Sequence, residues 1–441
     1  MLSSGLYSTL VLATLAARSW AAGVSVNYVQ DRPHCTVTSN GNNTNDVPIL
    51  KEAFQKCGKH GSITFPEDQN FWIAEKFNPI VDDVQIEWYG KWTFSDNITY
   101  WRNNSYHIAF QNHWAGFVLT GRDITIDGGD TGGVHGNGDL WYTAEAGRTQ
   151  AGRPMPFVLW NVSDVTVRNF SIWQPQLWAF NIMNGTNILV ENLYVNATAT
   201  KAPSGSNWVQ NTDGFDTMDT RNVTLRNLDY TGGDDCIAIK PRSYDVRVSN
   251  ITCHSGNGPA IGSLGQYLED SSVENVTVTD LRVKNRWGFY IKCWTGALVY
   301  QNSYESEYQP RGGGWGFVRN ITVENLDVTG ASLPFYITQE NGDDGSHEGS
   351  SKMGIYDVTL RNVTGTLSGE SNTITVMCSD VHPCEGIVFE DIDQVGSSGD
   401  TATLACKYVA VTEKTTPLSP CGNNGLYATV ADGGVTGLGG C

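Results

Sequence analysis

One short phrase recurs along the chain between about residues 120 and 395. Each copy alternates β-branched or aliphatic residues with polar ones and ends in Asn or Asp followed by an apolar residue, as in Val165-Thr-Val-Arg-Asn-Phe170. Further copies begin at Ile188, Val223, Val246, Val276, Ile321 and Val358. The Asn or Asp occupies positions 169, 192, 227, 250, 280, 325 and 362. A constant phrase at variable intervals predicts one structural turn per copy, with loops of different length inserted.

The alternation within the phrase indicates short β-strands, and no helical segment separates the copies, which argues against β-α-β units. The sequence therefore predicts an all-β fold, a single-stranded right-handed parallel β-helix whose Asn side chains stack and satisfy backbone groups at the bends. A β-sandwich is the alternative, although its strands usually come about every 8–12 residues without such a phrase. Second strands of the same turns are predicted to begin at Phe180, Ile237, Ala260, Phe289 and Phe335.

Both ends of the chain lack the phrase. Residues 1–22 contain an apolar stretch followed by small residues, which predicts a cleaved signal peptide and a secreted, extracellular protein formed by residues 23–441. We expect residues of about 23–60 and about 396–441 to cap the open ends of the stack. Residues 298–316, rich in Tyr, Ser and Gly, are predicted to form an inserted loop.

Ten cysteines agree with an oxidising compartment. Disulfides are the expected state, with Cys236–Cys253 and Cys378–Cys384 the most plausible pairs, although spacing alone leaves the connectivity open. A zinc site is the alternative, but no CxxC or clustered Cys/His spacing supports it. Asn-x-Ser/Thr sequons agree with secretion; because many fall inside the repeated phrase, we expect only some to carry glycan. They begin at residues 42, 97, 103, 161, 169, 184, 196, 222, 250, 275, 320 and 362.

A formal net charge of −18 argues against nucleic-acid or anionic-membrane partners, which require basic surfaces. After the N-terminal segment, no stretch approaches the roughly 20 apolar residues of a membrane helix. We expect a monomer. Binding an acidic substrate would require basic residues at the site to offset the negative charge of the whole protein.

The most informative constellation is a set of aspartates in adjacent repeats. Asp213 lies in Asn211-Thr-Asp-Gly, and 21 residues later Asp234 and Asp235 follow Gly232-Gly233. That interval is about one turn, so we expect Asp213 to lie beneath the pair at a spacing of roughly 4.8 Å. The two glycines would permit the bend that lets both neighbouring aspartates face a cleft.

Like charges held this close do not all ionise together, so one carboxyl stays protonated while another stays charged. An acid and a base on one patch are what glycoside hydrolysis requires. The structural alternative is a Ca²⁺ site or simple capping of bends, but a Ca²⁺ loop prefers alternating carboxylates within one segment. We therefore expect no metal and no cofactor. Lys292, on a following turn, is a candidate for pairing with a substrate carboxylate.

These residues, in this order, resemble the NTD, GDD, GHG and RIK motif series of glycoside hydrolase family 28, the polygalacturonase family. The resemblance extends over about residues 120–395 and implies a β-helix and inverting hydrolysis of α-linked galacturonic acid or related pectic polysaccharides. It implies that Asp234 is the general acid and that Asp213 and Asp235 activate water. Their carboxyl groups should then stand roughly 6.5–9.5 Å from the acid.

Two departures from the family pattern concern the substrate side. Asn257 replaces the His of GHG, and Tyr290 replaces the Arg of RIK, while Lys292 is retained. A missing His removes a titrating group, and a missing Arg removes a two-pronged clamp on a uronate. The role of Asn257 is open, and we expect substrate contacts from Lys292, Tyr290, Asn211, Lys240 and Tyr267. Trp287, Trp294 and Trp315 are further candidates for stacking on sugars.

The run from Gly256 to Tyr267 and the loop around Tyr304–Trp315 resemble the fungal exo-acting members of the family, which release terminal galacturonic acid. Related members act on rhamnogalacturonan or xylogalacturonan, or remove terminal rhamnose, and these alternatives stay open. Two other classes also remain: a Ca²⁺-dependent lyase with the same fold, and a non-catalytic carbohydrate-binding β-helix. The expectation from the sequence is a secreted exo-hydrolase of polygalacturonate.

Overall fold

The structure is a computed structural model. It describes residues 22–284, 287–301, 304–306, 310–342, 345–368, 373–397, 399, 403–410, 426–431 and 434–440. Almost all of the predicted signal peptide, together with Cys421 and Cys441, lies outside these residues. Within the described part of the chain, no helix has the length and apolar character needed to cross a membrane.

The chain is built mainly from strands. The helices are α1 (Val47–Cys57), α2 (Ile98–Asn104) and α3 (Gly138–Glu145), with 3₁₀ turns at Phe110–Asn112 and Tyr304–Ser306. The strands of the first part are β1 (Gly23–Val29), β2 (Arg32–Thr38), β3 (Lys59–Phe65), β4 (Asn70–Ile73), β5 (Ile80–Trp88), β6 (Lys91–Phe94), β7 (Tyr106–Ile108), β8 (His113–Ala115), β9 (Val118–Asp127), β10 (Gly133–His135), β11 (Pro154–Met155), β12 (Phe157–Trp173), β13 (Phe180–Asn196) and β14 (Phe215–Thr231).

The strands of the second part are β15 (Ile237–Ile239), β16 (Ser243–Cys253), β17 (Ala260–Leu264), β18 (Val273–Lys284), β19 (Trp287–Trp294), β20 (Trp315–Thr329), β21 (Leu333–Asn341), β22 (Lys352–Thr366), β23 (Thr373–Met377), β24 (Cys384–Val395), β25 (Thr403–Lys407), β26 (Val409–Ala410), β27 (Leu426–Ala431) and β28 (Gly434–Gly440).

The repeated phrase stacks in register from turn to turn. Its first residue forms one parallel column through β12, β13, β14, β16, β18, β20 and β22, namely Val165, Ile188, Val223, Val246, Val276, Ile321 and Val358. Each of these side chains is buried, so the column is a continuous aliphatic core. The predicted parallel β-helix is confirmed, and the parallel pairing excludes the antiparallel sandwich.

A second parallel stack runs along another side of the helix through the first residues of β13 and β14 and through β15, β17, β19, β21 and β23. It contains the predicted second strands. Inward-facing aromatic rings pack on one another between turns, with the Phe180 and Phe215 centroids 5.5 Å apart and those of Phe289 and Phe335 6.0 Å apart. The loops that precede these short strands carry the candidate aspartates.

The Asn of the phrase forms a side-chain ladder. The Nδ2 atom of Asn192, Asn227 and Asn250 donates to the Oδ1 atom of the Asn one turn earlier, beginning at Asn169, each at 2.7 Å. All four residues have φ between 53° and 61°, a left-handed conformation that Asn tolerates better than most residues. The predicted stacking is therefore present, but the observed partner is the neighbouring amide side chain rather than a backbone group.

The N-terminal end of the stack is covered by the antiparallel hairpin β1–β2 and by α1. Helix α1 buries Leu50, Ala53 and Phe54, and the Cys35–Cys57 disulfide joins it to β2. The predicted pairs Cys236–Cys253 and Cys378–Cys384 are confirmed. In the segment expected to cap the other end, β27 pairs with β28 in antiparallel fashion.

The ladder predicts a measurable contribution to stability. Replacing Asn227 with Gly preserves the left-handed backbone but removes one hydrogen bond on each side, so we expect the free energy of unfolding in urea to fall by about 1–3 kcal/mol. Asn42→Gly is the matched control, because Asn42 is also exposed with φ of 52° and lies outside the ladder. Equal effects of the two substitutions would contradict a stabilising ladder.

Candidate active site

Three polar side chains occupy equivalent positions on consecutive turns. The Gly214 N–H donates to the Asp235 carbonyl at 3.0 Å, the Cys236 N–H donates to the Asn257 carbonyl at 3.0 Å, and Asp235 and Asn257 form a parallel bridge. Asp213 therefore stacks beside Asp235, and Asn257 follows on the next turn. Asp213, Asp235 and Asn257 are all at least 96% buried.

The close packing of the loop explains why Gly precedes Asp234. A Cβ atom at Gly233 would lie 2.4 Å from the Val209 carbonyl oxygen, and one at Gly232 would lie 2.2 Å from the Tyr230 hydroxyl. Neither glycine has a positive φ. Close approach, rather than an unusual backbone angle, is thus the reason for the two glycines, and it lets Asp234 and Asp235 both face the cleft.

The Asp234 carboxyl is held on one side by Asn211. The backbone N–H and the side-chain amide of Asn211 donate to Asp234 Oδ2 at 3.1 and 3.2 Å. Burial and then the charge of Asp235 raise the pKa of Asp234 to about 7, although Lys292 and Lys240 act in the opposite direction. Oδ2 accepts two hydrogen bonds, whereas Oδ1 accepts one longer bond from Asn257 Nδ2 at 3.3 Å, so Oδ1 is the oxygen better placed to carry a proton.

The Asp235 carboxyl has different partners. Asn257 Nδ2 donates to Asp235 Oδ1 at 2.9 Å, and the Tyr290 hydroxyl donates to the same oxygen. The same Asn257 nitrogen lies 3.3 Å from Asp234 Oδ1. Two donors on one oxygen stabilise negative charge on this carboxylate.

Asp213 belongs to a buried ionic cluster with Asp216 and Lys240. Lys240 Nζ lies 3.1 Å from Asp216 Oδ1 and 3.6 Å from Asp213 Oδ2. Burial raises the pKa of Asp216 to about 7, and burial together with the charges of Asp216 and Asp234 raises the pKa of Asp213 well above its ordinary value. Burial lowers the pKa of Lys240, but the charges of Asp216 and Asp213 outweigh it and hold the lysine protonated.

Trp178 covers this lysine, with Lys240 Nζ 3.8 Å from its ring centroid. His113 packs edge-on against the same indole at 4.3 Å. Burial, followed by the charge of Lys240, lowers the pKa of His113 to about 3, so the imidazole is neutral. The cluster therefore carries its positive charge on Lys240.

The side chains of Asp213, Asp234, Asp235, Lys240 and Trp178 line a cavity of about 190 Å³. Its walls are formed by Gln111, Trp178, Asn211, Asp213, Asp234, Asp235, Lys240, Gly262, Ser263, Gln266, Lys292, Trp294, Gln301, Glu305, Arg311 and Asn341. The volume is below the roughly 300–1,000 Å³ of clefts for drug-sized ligands, which fits a site for a single sugar unit. Within the described residues, no three His, Cys, Asp or Glu side chains are arranged to hold a metal ion.

Three separate segments meet at one wall of this cavity. The Gln111 amide donates to Gln266 Oε1 at 2.8 Å, and the Gln111 N–H donates to the Tyr267 hydroxyl at 2.9 Å. Asn112 Nδ2 donates to the Tyr304 carbonyl at 2.8 Å, which ties in the inserted loop. Arg311 of that loop forms an ion pair with Glu305 at 2.6 Å. These contacts close the cleft on one side.

On the C-terminal side the cleft continues into a wider space of about 620 Å³. Lys292 and Asn341 line both spaces, and Trp287, Leu333 and Tyr336 add an apolar surface. This part lies along β19 and β21, whose Trp287 and Leu333 are in register. The site is thus closed at the wall formed by Gln111, Gln266 and the inserted loop, and open along β19 and β21.

The structure brings together most residues proposed from the sequence and gives two of them other surroundings. Asn211, Lys240 and Lys292 line the small cavity, whereas Tyr267 supports its wall through Gln111. Tyr290 is 1% exposed, so its ring is not available to stack on a sugar in this structure. Trp294 lines the cavity, and Trp315, 53% exposed, lines neither space.

Some residues of the site were not among those proposed from the sequence. Asp216 follows Phe215, whose ring enters the core, so strand alternation alone places Asp216 on the cleft side. Gln111 lies before the repeats, and Arg311 lies in an inserted loop, so no periodicity marks either of them. Their place in the site depends on long-range contacts between segments.

Comparison with known proteins agrees with this geometry. Residues 58–416 match the family described as Glycosyl hydrolases family 28. The chain is 52% identical over 429 residues to a protein of Aspergillus niger named "Putative galacturan 1,4-alpha-galacturonidase C", covering 96% of each chain. It is also 52% identical over 390 residues to a protein of the same name from Neosartorya fischeri, covering 85% of this chain and 90% of the relative.

Among solved structures, the endo-xylogalacturonan hydrolase from Aspergillus tubingensis superimposes with a TM-score of 0.72 at 22% identity, covering 88% of this chain and 99% of that one. This similarity concerns the fold alone. The family match over most of the chain, the two extensive sequence identities and the shared β-helix lead to one conclusion. The chain belongs to family 28 of the glycosyl hydrolases.

Proposed function

We propose that this protein is an exo-acting hydrolase that releases terminal galacturonic acid from polygalacturonate and its oligomers. The observation that carries the proposal is the cavity at the aspartates, sized for one sugar and closed on one side by Gln111, Gln266 and the inserted loop. A closed cleft admits a chain end but not the middle of a polymer. The names of the two relatives at 52% identity support the same substrate and mode.

The positive groups of the cavity support an acidic terminal sugar. Lys292 is partly exposed at the junction of the two spaces, where a carboxylate of the sugar chain can reach its ammonium group. Lys240 is already committed to Asp213 and Asp216. We therefore assign the substrate carboxylate to Lys292 and a charge-balancing role to Lys240.

The aspartates divide the chemistry between them. Asp234 donates its proton to the leaving glycosidic oxygen as the C–O bond breaks, and Asp235 accepts a proton from the water whose oxygen bonds to the anomeric carbon. Asp213, whose raised pKa reflects burial, is better suited to share protons with Asp216 and Lys240 than to act as the principal base. This division narrows the expectation that Asp213 and Asp235 together activate water.

The separation of acid and base bears on the stereochemistry. Asn257 Nδ2 contacts Oδ1 of both Asp234 and Asp235, so these two oxygens are no farther apart than the sum of 3.3 and 2.9 Å. That limit lies just below the roughly 6.5–9.5 Å between carboxyl groups of inverting enzymes. Inversion stays a prediction from the family resemblance.

We further propose that the protein is secreted and acts as a monomer. The disulfides Cys35–Cys57, Cys236–Cys253 and Cys378–Cys384 support an oxidising compartment. The N-terminal apolar segment supports export. The sequons support glycosylation at part of their positions.

The closed cleft predicts the pattern of products. Digestion of polygalacturonate should yield monomeric galacturonic acid from the first minutes, with little change in viscosity, because each turnover shortens a chain by one unit. Chromatography of early time points tests this expectation. Mixed oligomers at early times would contradict the exo mode, and an unsaturated, ultraviolet-absorbing product would indicate a lyase.

The acid–base assignment predicts a pH dependence. Asp234 must be protonated to act, and its pKa of about 7 means that kcat/KM should fall as pH rises through about 7 and should not be limited by this group below that value. Asp234→Asn should reduce kcat by at least about 100-fold at every pH. An alkaline limb near pH 5 would contradict the assignment of Asp234 as the buried acid.

The open side of the cleft predicts a dependence on substrate length. Trp287 and Lys292 both line the wider space, and loss of a stacking surface such as this indole is worth roughly 0.5–1.5 kcal/mol. We expect Trp287→Ala to lower kcat/KM about three- to tenfold on tetragalacturonate and less on digalacturonate. Trp160→Ala, on an exposed indole outside both spaces, is the control. Equal losses on both substrates would contradict a chain-binding role.

A further inference from the structure

The two residues that depart from the family pattern contact each other and the same catalytic carboxylate. Asn257 Nδ2 lies 2.9 Å from Asp235 Oδ1 and 3.4 Å from the Tyr290 hydroxyl, and that hydroxyl donates to Asp235 Oδ1. Sequence comparison alone assigns these positions to the substrate side. In the structure, both are buried against Asp235.

The β-helix makes room for this contact. Tyr290 is in register with Ala260, and Ala260 is in register with Ala238 on the turn before. Both alanines are buried and small, so a long side chain at position 290 can lean back over them toward Asp235. Trp287 packs edge-on against the Tyr290 ring at 5.2 Å and holds it from the other side.

We propose that Tyr290, together with Asn257, is a positioning residue for the catalytic base Asp235 rather than a substrate contact. Both donors engage Oδ1, which fixes the plane of the carboxylate and leaves Oδ2 to address the attacking water. Through its second contact to Asp234 Oδ1, Asn257 also sets the distance between acid and base. The two substitutions act as one unit, because the tyrosine hydroxyl and the asparagine amide share the same oxygen.

This inference rests on the proposed function, because it concerns how Asp235, the base of the proposed reaction, is oriented. Other charged or titratable groups also face Asp235. They are Asp213, Asp216 and Tyr230 from the preceding turn, Asp234 and Lys240 from its own turn, and Tyr290 and Lys292 from β19. Removing only the Tyr290 hydroxyl leaves all the other groups in place.

The test compares Tyr290→Phe with the wild-type enzyme on trigalacturonate across pH. We expect kcat to fall about tenfold or more, KM to change less than threefold, and the acidic limb of kcat/KM to move upward by about one pH unit, because a donor to the ionised base is lost. Tyr244→Phe, on the outer face of β16, is the matched control and should match the wild type.

A rise in KM at unchanged kcat and an unmoved acidic limb would overturn the inference, since Tyr290 would then contact substrate. Wild-type protein that releases no sugar would overturn the proposed function and the inference with it, whereas active wild type with an unaltered Tyr290→Phe profile would overturn the inference alone. If Tyr290→Phe does not fold, as judged by circular dichroism, the same pH profile is measured for Asn257→Ala. It keeps the backbone bridge to Asp235 and should move the acidic limb in the same direction.

Discussion

The in-register stacking of one turn on the next is the constraint on which the rest of the structure depends. Backbone hydrogen bonds between parallel strands fix each residue beside its equivalent on the neighbouring turns. The same stacking that aligns Val165, Ile188 and Val223 in the core aligns Asp213, Asp235 and Asn257 beside the cleft. The residues of the site are therefore neighbours because of the repeat, and the distance between them is set by the separation of adjacent strands.

Such stacking forces like charges together, and the protein resolves the conflict by giving each carboxyl different partners. Asp234 receives donors from Asn211 and stays largely uncharged up to about neutral pH because it is buried beside Asp235. Asp235 receives donors from Asn257 and Tyr290. The remaining pair, Asp213 and Asp216, is balanced by Lys240 under the indole of Trp178. Differential burial and hydrogen bonding thus give the carboxyl groups of one small patch different surroundings.

The fold and the centre of the site were accessible from the sequence because both follow the periodicity. The phrase from Val165 to Phe170 and its copies predicted the strands and their stacking, and the interval between Asp213 and Asp234 predicted adjacent turns. What could not be predicted depends on contacts between distant segments. The wall made by Gln111, Gln266 and Arg311 joins residues more than 150 positions apart in the chain, and the turn of Tyr290 toward Asp235 depends on the alanines beneath it.

The central claim is that this stacked, buried cluster keeps Asp234 protonated while Asp235 is charged. Infrared difference spectroscopy of the carboxyl stretching bands, comparing wild type with Asp234→Asn from pH 5 to 9, tests it directly. Because Asp213 and Asp216 also have raised pKa values, both proteins should show a protonated-carboxyl band at pH 5. The account predicts that this band is weaker in the variant at pH 5, and that the difference between the two proteins disappears through about pH 7. Identical spectra for the two proteins at pH 5 would mean that Asp234 is already ionised and would contradict the account.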